Sequence, residues 1–151
     1  MKISIVIPTR DEEGMIKEII DGCRPYADEL LVVDGHSTDK TREIAEAAGV
    51  KVILDNGKGK GAALRYAATV VTGDIIVFID ADGSHDPRDI PSLVEPIIKG
   101  EADHVSGSRL IGGSSELHGG FDECFRLMGS SFITACINWR FKVVLSESQN
   151  G

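Results

Sequence analysis

Cysteine is scarce: Cys23, Cys124 and Cys136 are the only three, odd in number, widely spaced and never in a C-x-x-C pair. That argues against a disulfide framework or a cysteine-built zinc site and fits reduced, partly buried thiols in a cytosolic setting. Long apolar runs are missing as well, and no stretch approaches the ~18 residues needed to span a bilayer. The N-terminal Met-Lys-Ile-Ser-Ile-Val-Ile-Pro meets charge at Arg10, which makes it too short for a secretion signal and right for a first strand. Positive charge is in deficit, with 16 Lys and Arg against 24 Asp and Glu for a net charge of −8. Broad binding to nucleic-acid phosphates is therefore not expected, although a local basic pocket for a small phosphate is still allowed. Low-complexity sequence is nearly absent, and 42% apolar with 26% charged residues excludes disordered and fibrous classes. A cytoplasmic protein is expected.

At 151 residues, one domain is the prior, since domains average about 150 residues. A chain of that size buries ~68–70% of its unfolded surface, enough for a real core. Apolar runs alternate with helical patterns. Ile3 to Ile7 reads as a strand stopped by Pro8, and a helix is expected from about Glu12 to Cys23 with Met15, Ile16, Ile19 and Ile20 on one face. Leu30 to Val33 is a second strand, Thr38-Asp39 starts a second helix ended by Gly49, and Val50 to Leu54 is a third strand. An alanine-rich helix follows the glycines of 56–61. Ile75 to Ile79 then reads as a central parallel strand, Pro87 to Lys99 as a helix and His104 to Ser106 as a fifth strand. This alternation predicts an α/β fold, a mostly parallel Rossmann-like sheet with helices on both faces. Beyond Arg109, residues 111–120 read as a loop, 121–139 as a helix with an apolar stripe, and 141–145 as a strand. The polar residues 146–151 stop without a capping element, so a single catalytic domain truncated at its C-terminal end is expected.

In such a sheet, ligands sit outside the carboxyl ends of the strands. There the sequence places Pro8-Thr9-Arg10-Asp11-Glu12, Asp34-Gly35-His36-Ser37, Asp55 to Gly61, Asp80 to His85, and Gly107-Ser108-Arg109. Asp80 and Asp82 are two apart, so in extended chain both carboxylates point one way. They would repel unless a cation sat between them, and oxygen donors suit Mg²⁺ or Mn²⁺ shared with substrate phosphates. The competing reading makes Asp82-Gly83 a turn and Asp80 a helix cap. Lys60 and Arg109 are candidate phosphate partners. The glycines of 57–61 lack P-loop spacing, and no G-x-G-x-x-G follows the first strand, which counts against P-loop kinases and dinucleotide dehydrogenases. The four histidines show no metal spacing and read as loop or surface residues.

Together these motifs resemble family 2 inverting glycosyltransferases, within them the dolichol-phosphate mannosyltransferase-like group. Val6-Ile7-Pro8-Thr9-Arg10-Asp11-Glu12-Glu13 is similar to the family's V-I-P-T-Y-N-E-E, and Val32-Val33-Asp34-Gly35-His36-Ser37-Thr38-Asp39 to its V-V-D-D-G-S-T-D. Gly59-Lys60-Gly61, Thr72-Gly73-Asp74, Asp80-Ala81-Asp82 with Pro87, and Gly107-Ser108-Arg109 continue the match. The resemblance implies a nucleotide-diphospho-sugar transferase (GT-A) fold. It places Pro8, Arg10, Glu12 and Asp34 around the nucleoside, Asp80 and Asp82 on a divalent ion with Ser84 as a third ligand, and Arg109 and Arg126 on phosphates. Glu147 falls in a stretch similar to the family's D-x-Q-S-G near the acceptor. Three departures stand out: Arg10 for an aromatic, Gly35 for a second Asp, and Ser84 for Gln.

The implied reaction moves a hexose from GDP-mannose or UDP-glucose to an acceptor, a polyprenyl (dolichyl) phosphate by this resemblance, at the cytoplasmic face of the membrane. Asp82 would act at the metal, and Glu147 would serve as base if the acceptor were a hydroxyl. The rival readings are a nucleotide-sugar-binding module without turnover and a nucleotidyltransferase making an NDP-sugar. The second wants a glycine-rich basic loop directly after the first strand, which residues 8–12 do not supply.

Overall fold

A computed structural model of the chain describes residues 1–107. The chain divides into two compact units, Met1–His104 and Val105–Gly151, and the elements that follow belong to the first. They are β1 (Ile3–Thr9), α1 (Ile16–Cys23), a short 3₁₀ turn (Arg24–Tyr26), β2 (Glu29–Asp34), α2 (Thr41–Ala47), β3 (Lys51–Leu54), α3 (Lys60–Val70), β4 (Ile75–Phe78), a second 3₁₀ turn (Pro87–Asp89) and α4 (Ile90–Ile98). The strands form one parallel sheet in the order β3-β2-β1-β4.

The sheet is covered on both faces. Ile5, Ile7 and Val32 pack with Ile16, Ile19 and Ile20 of α1, Ala45 of α2, and Ile90 and Val94 of α4. Val6, Leu31 and Val33, whose side chains alternate to the other face, pack on Ala63 and Ala67 of α3. Small alanines let α3 lie close to the strands. Burial of Ile5–Ile7 and Leu31–Val33 on both faces explains these apolar runs, and each buried Val, Leu or Ile contributes ~1.5–3 kcal/mol.

Several expectations are corrected by the strands. Pro8 does not stop β1, which runs on to Thr9 with Pro8 opposite Val33. Proline lacks an N–H, but the even-numbered residues of β1 bond toward β4. The Val6 carbonyl accepts from the Ile79 N–H, and the β1–β4 register ends at Val6–Phe78. Pro8 therefore meets no strand that needs its donor. Among the described residues β4 is an outer strand and Phe78 is exposed. Residues 104–106 form no strand.

Helix starts also shift. α1 begins at Ile16 after a turn in which the Glu12 carbonyl accepts from Met15 and Ile16 N–H. α2 begins at Thr41, whose N–H and hydroxyl both donate to Asp39 Oδ1. The segment after Asp86 is the Pro87–Asp89 turn followed by α4, and Asp86 caps the turn by accepting from Arg88 N–H at 2.9 Å. Cys23 is a buried free thiol whose burial pushes its pKa up to about 11, which favours the neutral thiol. Among the described residues no helix is long and apolar enough to cross a membrane. The helix, strand and loop expected beyond residue 107, and Cys124 and Cys136, lie outside the described residues.

Candidate functional site

The carboxyl ends of β1, β2, β3 and β4 open onto one cleft of about 490 Å³. Its wall includes Pro8 near the end of β1, Arg10 and Glu12 after it, Gly35 and His36 after β2, Asp55, Gly57 and Gly59 after β3, Lys60 and Ala63 of α3, and Asp80 to Asp82 after β4. Six of the residues singled out from sequence, Pro8, Arg10, Glu12, Lys60, Asp80 and Asp82, thus converge across up to 74 positions of chain. The topology is the cause, since every parallel strand delivers its C-terminal loop to the same edge.

Each loop is held by its own hydrogen bonds. The Glu12 N–H donates to Thr41 Oγ1 at 2.7 Å, and the Asp11 N–H donates to Ser37 Oγ at 2.9 Å, tying the β1 loop to the β2 loop. Asp34 turns back onto its own loop. It is buried, is absent from the cleft wall, and accepts from the Ser37 N–H at 3.1 Å and from the Ser37 hydroxyl. Its carboxylate shapes the loop that carries Gly35 and His36. Ser84 is also off the wall, its N–H donating to Asp82 Oδ1 at 2.9 Å. Gly59, with φ 86° and ψ 167°, turns the chain into α3 through a region open essentially to glycine alone.

Two histidines, read from sequence as loop or surface residues, lie in loops beside the strand-end aspartates. His36 sits in a left-handed conformation (φ 62°) on the cleft wall, with Nε2 3.2 Å from Asp55 Oδ1. His85 Nδ1 accepts weakly from the Asp80 N–H at 3.4 Å. Each follows a strand-end aspartate by two to five positions, and that placement was the signal available. Arg109, Arg126 and Glu147 lie outside the described residues.

The cleft is acid-rich. Four carboxylates (Glu12, Asp55, Asp80, Asp82) face two permanent cations, Arg10 and Lys60. Burial, then the negative charges of Asp82, Asp39, Asp11 and Asp80, raise the Glu12 carboxyl above its ordinary value. Burial also pushes Asp82 upward, but hydrogen bonds from the Ser84 hydroxyl and N–H, with the charges of His85 and Lys60, outweigh it and hold Asp82 below its ordinary value. The Lys60 ammonium lies 2.8 Å from Asp80 Oδ1 and 2.9 Å from Oδ2.

A divalent ion fits this donor set. Asp80 and Asp82 are hard oxygen donors on one wall, and a cation already sits on Asp80 in the form of Lys60. Among the described residues no group of three His, Cys, Asp or Glu side chains is arranged to hold a metal. Two carboxylates suffice for Mg²⁺ or Mn²⁺, which complete their shells with water and substrate phosphate.

A family model described as glycosyl transferase family 2 matches residues 4–146. The low-salt glycan biosynthesis hexosyltransferase Agl6 of Haloferax volcanii is 34% identical over 99% of this chain and 37% of its own length. The glucosyl-3-phosphoglycerate synthase of Mycobacterium tuberculosis, solved in complex with UDP, superposes with a TM-score of 0.61 at 38% identity, covering 66% of this chain and 41% of that one. The same enzyme solved with Mn²⁺, UDP-glucose and phosphoglyceric acid gives a TM-score of 0.60 at 36% identity, over 66% of this chain and 40% of that one. The chain spans between about a third and a half of the length of the curated relatives it matches.

Proposed function

The chain belongs to glycosyl transferase family 2 and has the nucleotide-diphospho-sugar transferase fold, and from that premise we propose that its cleft binds a nucleotide-diphospho-sugar with a divalent ion and transfers the hexose with inversion. The observation that carries this reading is the meeting of Asp80 and Asp82 with Glu12 and Lys60 in one cleft at the strand ends. Among the described residues of that cleft four carboxylates face two cations, which supports a divalent cation accompanying the diphosphate of the donor.

In this proposal Pro8, Arg10 and Glu12 bind the nucleoside. Arg10, in place of an aromatic, offers a planar guanidinium that stacks on a base. Asp34 acts from beneath by holding the loop of Gly35 and His36. Asp80 and Asp82 hold Mg²⁺ or Mn²⁺, with Ser84 fixing the Asp82 carboxylate. The ion, when bound, neutralises charge on the departing nucleoside diphosphate. Lys60 contributes a second positive charge to the same leaving group. Arg109 and Arg126 as phosphate partners and Glu147 as base rest on the family resemblance.

UDP-glucose is the favoured donor, supported by the UDP and UDP-glucose complexes of the similar synthase, with GDP-mannose the alternative. The acceptor is proposed to be a phosphate-bearing molecule, a polyprenyl phosphate at the cytoplasmic membrane face, as the resemblance to dolichol-phosphate mannosyltransferases implies. An acceptor phosphate is already anionic and needs no strong base.

Incubation of the protein and Mn²⁺ with radiolabelled UDP-glucose or GDP-mannose, offering polyprenyl phosphate or 3-phosphoglyceric acid, tests this. Label moving to the lipid from UDP-glucose is expected. Label moving only to phosphoglyceric acid would overturn the lipid acceptor. Donor binding without transfer to either would favour a binding module without turnover.

A further inference from the structure

The contact between Lys60 and Asp80 carries a consequence for how the cleft loads. One ammonium engages both oxygens of Asp80, at 2.8 and 2.9 Å. The Asp80 side chain is only 20% exposed, whereas that of Lys60 is 48% exposed. A carboxylate this buried, facing Asp82 and Glu12 across the same cleft, needs a resident cation, and Lys60 supplies it. A divalent ion on Asp80 would meet that ammonium on the same carboxylate, and like charges there repel. The conflict ends when Lys60 finds another anion.

Its base is fixed, as the first residue of α3 behind the Gly59 turn, but its four-carbon stem is flexible and its head is half in water. A diphosphate entering the cleft offers the ammonium that second partner. We infer that Lys60 is an internal counter-cation that holds metal off Asp80 until a nucleoside diphosphate draws it away, so that metal and nucleotide bind cooperatively. The inference rests on the metal-dependent donor site proposed above. It adds an order of events, in which the ion is poorly held by the empty cleft and well held by the nucleotide-filled one. Because binding coupling is reciprocal, each ligand raises the other's affinity by the same factor.

The test is a Mn²⁺ titration of the protein followed by electron paramagnetic resonance, without nucleotide and with saturating UDP or GDP. Wild type is expected to bind Mn²⁺ weakly alone and at least ~10-fold more tightly with one diphosphate. Lys60→Gln should bind Mn²⁺ alone about 10-fold more tightly than wild type, and its gain from nucleotide should shrink by a similar factor. Lys58→Gln removes the same charge from the same loop, but Lys58 is not on the cleft wall, and it should behave as wild type. Circular dichroism melts establish that each variant is folded. If Lys60→Gln bound nucleotide-free Mn²⁺ no better than wild type, or kept the full gain from nucleotide, the inference alone would fall. If neither protein bound Mn²⁺ with either diphosphate, the metal site would fall and the inference with it.

Discussion

Single residues in this cleft divide into those that would face a ligand and those that hold them in place. Asp82 belongs to the first kind and Ser84 to the second, because the Ser84 N–H and hydroxyl stabilise the charged form of Asp82. Asp82→Asn keeps the shape and removes the charge, and should weaken Mn²⁺-dependent nucleotide binding by at least ~10-fold. Asp86→Asn, four positions on, caps only the Arg88 turn and should leave nucleotide binding unchanged; calorimetric titration of both variants checks the contrast. At this scale the sequence was legible where residue type and spacing coincide, as in Asp80 and Asp82. It was less so for Asp34, since nothing in a strand-end aspartate says whether it turns outward to a ligand or back onto its own loop, as the Ser37 bonds show. His36 was placed at the strand ends from sequence, but its left-handed backbone and its Asp55 partner 19 residues away depend on the fold.

Elements position those residues, and two predictions belong to them. Gly59 carries the chain into α3 at φ 86°, ψ 167°, and no atom lies within 4 Å of where a Cβ would stand. Gly59→Ala should therefore cost roughly 1–3 kcal/mol through backbone strain alone, read as a lower urea midpoint, with loss of the Lys60–Asp80 contact. At the opposite sheet edge, Glu29 accepts from the Ser4 hydroxyl at 2.6 Å and from the Thr72 N–H at 2.8 Å, joining β1, β2 and the loop before β4. The Ser4 bond, then the Thr72 N–H, hold the Glu29 carboxyl down at about 2, below its ordinary 4.5. A depressed carboxyl stabilises the fold fully above its unfolded value and loses that contribution as pH falls through the folded one. Glu29→Gln should thus be less stable than wild type near neutral pH, with the gap closing between pH 4.5 and 2, as acid-dependent urea melts would show. The apolar runs made all four described strands legible. Their limits were not, because β1 passes through Pro8 only where β4 has ended, and that depends on strand order, which hydrophobicity does not encode.

At the scale of the whole molecule, a net charge of −8 and a cleft with more carboxylates than cations set the terms for any anionic ligand. In the proposed reading a metal ion carries most of the binding of a nucleoside diphosphate, so chelator should abolish it while moderate salt weakens it only modestly. The alternation of strands and helices foretold the doubly covered parallel sheet, and the sheet brings the loops after its strands to one cleft. The most direct test is a thermal-shift comparison of the protein with UDP and with GDP, each in Mn²⁺ and in chelator. A ligand at ~100 times its dissociation constant adds ~2.7 kcal/mol to the folded state. Stabilisation by one diphosphate only when Mn²⁺ is present, and its loss in Asp82→Asn, is the predicted result. Equal stabilisation in chelator, or none from either nucleotide with a folded protein, would contradict a metal-dependent nucleotide-sugar site.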